Sequence, residues 1–250
     1  MAKILRSTVD SRIRNGFEFQ FSKYLSDSFN LIGKDFGQFV LFAFLSFLIA
    51  CVSVITIIGP SVVYICTLNG FAVAADKIEK NEKVELNDFF KGYDKLGDKI
   101  VLALIYLGIT IILYIPMLIM LFSIGYFSGT IDQNFQPAGF LFIIISYIVY
   151  YGGMLILHSS LIFSSYLIHF GDYSAGEAAS KSFQLYKKNF WMTTIFVLVM
   201  GILAYLGIVF CIIGVFASFP VMGLAYYSLI KDSLLSGEYS EIEQIGGASL

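Results

Sequence analysis

Two stretches of this chain run without a charged side chain for 40 residues (36–75) and for 42 residues (189–230). Each is about twice the ~20 apolar residues that a helix needs to cross a bilayer core. The first has Gly59-Pro60 near its middle and the second has Gly214, so each reads as two helices joined by a tight turn. The overall composition agrees: 58% of residues are apolar, 14% are charged, and the mean hydropathy is +0.80. Soluble domains average roughly half apolar and a quarter charged. A membrane β-barrel would need short alternating polar and apolar segments, and none appear.

The charge-free runs are preceded by related segments. Ser28-Phe29-Asn30-Leu31-Ile32-Gly33-Lys34-Asp35-Phe36 opens the first, and Ser182-Phe183-Gln184-Leu185-Tyr186-Lys187-Lys188-Asn189-Phe190 opens the second. In the first, Phe21, Leu25, Phe29, Ile32 and Phe36 share a helical face, which suits a helix lying in the headgroup region. Packing of that helix on the bundle is the alternative. Ala179, Ser182, Phe183, Tyr186 and Phe190 make the corresponding face of the later segment, where Ser174 and Glu177 fit a capping box. A weaker third opening falls in the middle, with Leu86, Phe89, Phe90, Tyr93 and Ile100 on one face and Asn87 or Asp88 as N-cap.

These features predict an all-α polytopic membrane protein. Six transmembrane helices form three hairpins, each preceded by an amphipathic interfacial helix. The units cover about 19–78, 84–170 and 173–235, between a loosely ordered polar tail at 1–18 and an acidic tail at 236–250. The expected spans are 38–58, 61–75, 100–122, part of 140–170, 191–213 and 217–230. Pro116 should kink the third span. The fourth run is 31 residues long, about 46 Å as a helix, and Gly152-Gly153 offers a place to break it. Small residues at Ala43, Ser46, Ala50 and Ser53, and Gly70-x-x-x-Ala74, allow close helix approach.

Orientation follows from the cations. All 16 Lys and Arg lie in 1–35, 77–99, 181–188 and at Lys231, and none in the three opposite connections. The positive-inside bias then places both termini in the cytoplasm. The first charge-free run is too long for a signal-peptide core and reads as an uncleaved signal anchor. Cys51, Cys66 and Cys211 all sit in apolar runs and read as small buried hydrophobes. Units of two spans each are parallel repeats, unlike the inverted repeats common in secondary transporters.

The paired Ser-Phe-x-Leu-x-x-Lys-[Asp/Asn]-Phe segments followed by charge-free hairpins resemble a group of uncharacterised bacterial six-span inner-membrane proteins. They are similar also to the membrane domain fused to some glycerophosphodiester phosphodiesterases. In that group catalysis belongs to an appended soluble domain, for which this chain has no room. The resemblance implies a membrane module of the bacterial inner membrane without an active site.

The candidate functional residues lie on the fourth span. Tyr147, Tyr151, His158, Ser165 and His169 fall within about 40° on a helical wheel. Ionisable groups inside a membrane tend to face a bundle interior or a cavity. Histidine suits a proton-coupled step, but interior packing explains the same pattern, and the eleven-residue spacing is poor for a metal. Asn69, midway along the second span, suits an interhelical hydrogen bond or a pathway lining. Lys181, Lys187 and Lys188 could touch anionic headgroups. No cofactor or nucleic-acid partner is expected. The reading is a non-enzymatic membrane protein acting through membrane lipids, a membrane-protein partner or its own homo-oligomer. The alternative is a small-solute or proton-coupled transporter using the span-four stripe.

Overall fold

The computed structural model describes residues 3–128, 137–210 and 214–235, and every regular element among them is helical. In order these are α1 (Arg6–Asn15), α2 (Phe21–Lys34), α3 (Phe36–Ser53), α4 (Gly59–Glu79), α5 (Leu86–Phe90) with a 3-10 turn (Lys91–Tyr93), α6 (Leu96–Ser128), α7 (Pro137–Leu161), α8 (Ser164–Gly171), α9 (Ala175–Lys188), α10 (Phe190–Phe210) and α11 (Val215–Ile230), which ends in a π-helical turn (Lys231–Leu235). Five stretches are long and apolar enough to cross a membrane: Phe36–Ser53, Gly59–Glu79, Leu96–Ile119, Ile143–Gly171 and Phe190–Val209. The remaining candidate, α11, has 16 residues. That is about 24 Å, short of a ~30 Å hydrocarbon core without the turn that extends it.

Burial divides the helices into an inner and an outer set. The α4 window is 78% buried, whereas the other four are 11–22% buried. Like α4, α8 is buried along its whole length and α11 from Pro220 to Ile230. The outer helices present Leu48, Val52, Ile112, Ile148, Ile202 and Val209 outward. An apolar exterior on this scale is unfavourable in water and suits the lipid interior. The chain is a multi-pass helical membrane protein.

The outer α3 lies against the inner α4 and α11, α6 against the inner α4 and α8 and the outer α7, and α10 against the inner α11 and the outer α7. The inner segments in turn carry the short helices: α4 packs on α5 and its 3-10 turn, α8 on α9, and α11 on α2. The α4 contact is a backbone approach. A Cβ on Gly92 would fall 2.3 Å from the Cys66 carbonyl oxygen and from the Gly70 nitrogen. Gly70, read from sequence as a small residue for close helix approach, admits the Phe89 carbonyl of α5 and the Phe42 ring of α3 as well, 2.5 and 2.8 Å from where its Cβ would lie.

The two Ser-Phe segments adopt the same local form. Ser28 and Ser182 are fully buried, while Phe29 and Phe183 are 53% and 45% exposed. The backbone breaks at the same position in both, with φ/ψ of −151°/57° at Asp35 and −130°/43° at Asn189. The expected stripe on α2 is divided. Tyr24, Ser28, Leu31 and Ile32 are buried, while Phe29 and Phe36 point outward. Burying Ser28 costs little, because its hydroxyl donates to the Leu25 carbonyl at 2.7 Å.

Several expectations are corrected. Residues 6–15 form a docked helix and not a loose tail, because Ile4 and Val9 are buried and the Ile4 N–H donates to the Phe170 carbonyl at 2.9 Å. The middle opening is a five-residue helix and a 3-10 turn, and its N-cap is Glu85, with Asp88 accepting from the Glu85 N–H at 3.0 Å. Ser174 holds the N-cap position without a side-chain bond, because Glu177 pairs with Arg6 at 2.9 Å. Gly59-Pro60 opens α4, where proline's missing donor is harmless, and the turn precedes it. Pro116 lies inside α6, in the span where the sequence placed it. Cys51 is exposed and Cys66 buried. Cys211, Asp132 and the acidic tail lie outside the described residues.

The fourth span breaks at Ile162–Phe163, between α7 and α8, and runs through Gly152-Gly153. Ser159 and Ser160 bond back to the Leu155 and Leu157 carbonyls. The Ser182 hydroxyl takes the Ser160 carbonyl at 2.7 Å, the group that would accept from residue 164 in a continuous helix. These side-chain bonds compete with the helical ladder. Gly153 instead admits the Leu113 side chain, whose Cδ2 would lie 2.8 Å from a Cβ there.

Candidate functional site

A cavity of about 380 Å³ lies among α4, α6, α7, α8 and α11. The α4 wall is Pro60, Ser61, Tyr64, Ile65 and Leu68, which share one helical face. Leu102 and Tyr106 come from α6, His158 and Leu161 from the last turns of α7, Ser165 from α8, and Tyr226 from the buried α11. The Tyr64 hydroxyl and His158 Nε2 are 3.3 Å apart. Their rings lie 5.8 Å apart, and the His158 and Tyr226 rings 6.2 Å. The wall is mostly hydrocarbon, interrupted by phenols, hydroxyls and one imidazole. It can hydrogen-bond a molecule whose remaining surface is apolar.

The break after Leu161 decides the fate of the histidine stripe. His158 and Ser165 reach the cavity. Tyr147 and Tyr151 stack on each other, 5.9 Å between rings and 11° between planes, on the outer face, 41% and 61% exposed. His169 turns to a different neighbourhood, where its Nδ1 lies 3.3 Å from the Lys99 ammonium. Asn69 is buried and donates from Nδ2 to the Ser165 carbonyl at 3.4 Å. Of the six residues singled out from sequence, the structure therefore joins Asn69, Ser165 and His158 in one region and separates Tyr147, Tyr151 and His169 from it.

Lys99 was not singled out by sequence, and it is fully buried. Its ammonium donates to the Gly92 carbonyl. Lysines are almost never fully buried unless partnered. The only sequence signal was its place as the last charge before an apolar run, which also marks an ordinary interfacial lysine. Tyr64, Tyr106 and Tyr226 were missed as well; nothing in the sequence distinguishes them from the other tyrosines.

Beyond this region the charged segments knit into one end of the bundle. Lys181 pairs with Asp10 at 2.7 Å, Lys231 with Glu79 at 2.7 Å, and Lys23 with Asp232. The Tyr24 hydroxyl donates to Asp232 at 2.9 Å. Lys95 donates to the Ile168 and His169 carbonyls at the end of α8 and pairs with Asp172. That pairing lowers the Asp172 carboxyl below its ordinary value, and Lys181 lowers Asp10 in the same way. Burial raises the Asp88 carboxyl, but hydrogen bonds from Lys91, the Glu85 N–H and Lys77 outweigh it and hold the group at about 2.

Among the described residues no three His, Cys, Asp or Glu side chains converge as a metal site would require. The chain matches no family model, no curated protein and no solved structure.

Proposed function

We propose that this chain is a six-span, non-enzymatic protein of a bacterial inner membrane, with both termini in the cytoplasm, acting through lipid or a membrane-protein partner. The observation that carries the reading is the half-open cavity at the centre of a bundle whose outer helices face lipid. Three parallel units are supported by the packing, in which α4, α8 and α11 each meet the short helix that opens the next unit, with α11 returning to α2. The sixth span would be α11 with its π-helical extension. The restriction of Lys and Arg to one set of connections supports the orientation.

The test is purification in mild detergent followed by native mass spectrometry. Retained lipid adducts or a stoichiometric partner are expected. A bare protein, together with unchanged membrane composition and stress tolerance on deletion, overturns the reading.

A second reading is favoured by one specific arrangement. Polar groups continue from His158 and Ser165 in the cavity through Asn69 toward His169 and Lys99, as a solute or proton pathway requires. Proteoliposome flux lost in His158→Ala would support transport, and unchanged flux would remove His158 from it.

A further inference from the structure

The cavity's lining specifies the kind of molecule it holds. Between Pro60 and Asp76, α4 is buried at every position except Pro60, Ser61, Tyr64 and Ile65, and all four line the cavity. Pro60 and Tyr64 also line a second cavity of about 270 Å³ against α3 and α11, whereas Ser61 and Ile65 face the first, whose neighbouring wall is Leu102 and Tyr106 of α6, the outer helix with the least burial of all. Entry from the lipid side needs no rearrangement of the charged end, since Lys99 lies about one turn of α6 before Leu102, where the cavity begins.

The polar equipment is uniform in character. Among the described residues no Lys, Arg, Asp or Glu lines the cavity. A phosphate or carboxylate there would be desolvated without a counter-charge, at a cost of several kcal/mol. The polar side chains are Tyr64, Tyr106, Tyr226, His158 and the hydroxyls of Ser61 and Ser165. Tyr64 and His158 bond each other, whichever of them donates. No hydrogen bond from the Tyr106 or Tyr226 hydroxyl is formed within the described residues, and both side chains line the cavity beside Tyr64 and His158. A phenol is a donor first and finds a partner when buried. A partner in this setting is an oxygen acceptor on the occupant.

We propose that this cavity binds an uncharged lipophilic molecule carrying carbonyl oxygens, with Tyr106 and Tyr226 as donors to those oxygens and the Tyr64–His158 pair as the polar wall beside them. The inference rests on the reading of this chain as a lipid-engaging membrane protein and names the chemistry of what it engages. Two sources supply that chemistry in a bacterial membrane: the ring of an isoprenoid quinone and the ester groups of a diacylglycerol. A volume of about 380 Å³ is at the small end of ligand pockets, so it takes a headgroup or ring while the tail stays in the bilayer.

The experiment is titration of the full chain in lipid nanodiscs with three probes: decylubiquinone, dioctanoylglycerol, and dioctanoyl phosphatidic acid as the charged counterpart. Wild type should bind one of the two neutral probes and discriminate against the acid by at least tenfold; which neutral probe binds identifies the source. Tyr106→Phe and Tyr226→Phe, which keep the ring and remove one hydroxyl, should each weaken binding about three- to tenfold, the loss of one hydrogen bond. An unchanged melting midpoint checks that these variants fold. Binding of neither neutral probe, equal binding of the acid, or affinity unchanged in both variants overturns the proposal. If neither neutral probe binds while the purified protein still carries phospholipid or a partner, the inference falls and the broader reading stands. A bare protein removes both.

Discussion

At Gly92 the packing leaves no room for a side chain. Carbonyl and amide atoms of α4 occupy the place of its missing Cβ, and backbone cannot move aside as a side-chain tip can. Gly92→Ala should therefore cost about 3 kcal/mol or more, read as a large fall in melting midpoint in detergent. Gly152→Ala has nothing within 4 Å of the new methyl and should be neutral, or stabilising by up to about 1 kcal/mol, in the same assay. A reversed order would show that the Gly92–Gly70 contact is misplaced. Asp88 supplies the pH dependence. Its carboxyl is held below the ordinary carboxylate value, so its contribution is present above about pH 4 and is lost as the pH falls toward 2. Asp88→Asn should melt lower than wild type at pH 7, by the equivalent of about 1 kcal/mol, and the gap should close at the acid end. A gap that stays constant with pH would remove the charged carboxylate as the cause. Sequence alone offered Asp88 as a helix cap and gave Gly92 no role. What distinguishes them is what lies opposite, the α4 backbone in one case and Lys77 and Lys91 in the other.

At the scale of elements, the helices themselves were legible and their relations were not. Runs of apolar residues bounded by charge placed most helices within a few residues of where they occur. The exception, α1, has a polar surface and only Ile4 and Val9 to anchor it, too small a signal to separate from a tail. Its attachment is specific: Arg6 to Glu177, Lys181 to Asp10, and Arg12 to the Ser233 carbonyl at 3.0 Å. Val9→Asp places a charge in this buried seat and should release α1, since an unpaired buried charge is costly. Limited trypsin digestion should then cut at Arg12 and Arg14 at least tenfold faster than in wild type. Equal rates would show that α1 is not held by its apolar contacts. The span-four break was illegible for a related reason. Two adjacent glycines looked weaker than Ser-Ser-Leu-Ile-Phe, but Gly153 is covered by Leu113, and the Ser160 carbonyl accepts from Ser182 of another helix.

For the whole molecule, the proposed topology has a direct consequence. In a background with cysteines replaced by alanine, Thr56→Cys should react with an impermeant maleimide added outside intact cells. Asn15→Cys and Lys83→Cys should react only after permeabilisation. All three positions are exposed in the structure. Thr56 labelling from the same side as Lys83 would overturn the arrangement of the first hairpin.

The sequence by itself determined that this chain is helical and belongs in a membrane, because charge-free runs of 40 and 42 residues can satisfy their backbone in lipid only as helices or closed barrels, and the alternation of a barrel is missing. It determined also where the charges gather. Which helices are central was decided by tertiary packing: all five spans are apolar enough to cross a membrane, and although α4 has the lowest mean hydropathy, 1.2 against 1.4–2.5, only packing buries 78% of it and leaves the others to lipid. The cavity has the same origin. Its tyrosines, Tyr64, Tyr106 and Tyr226, come from α4, α6 and α11, far apart along the chain, and only the crossing of those helices brings their hydroxyls to the place where His158 lies.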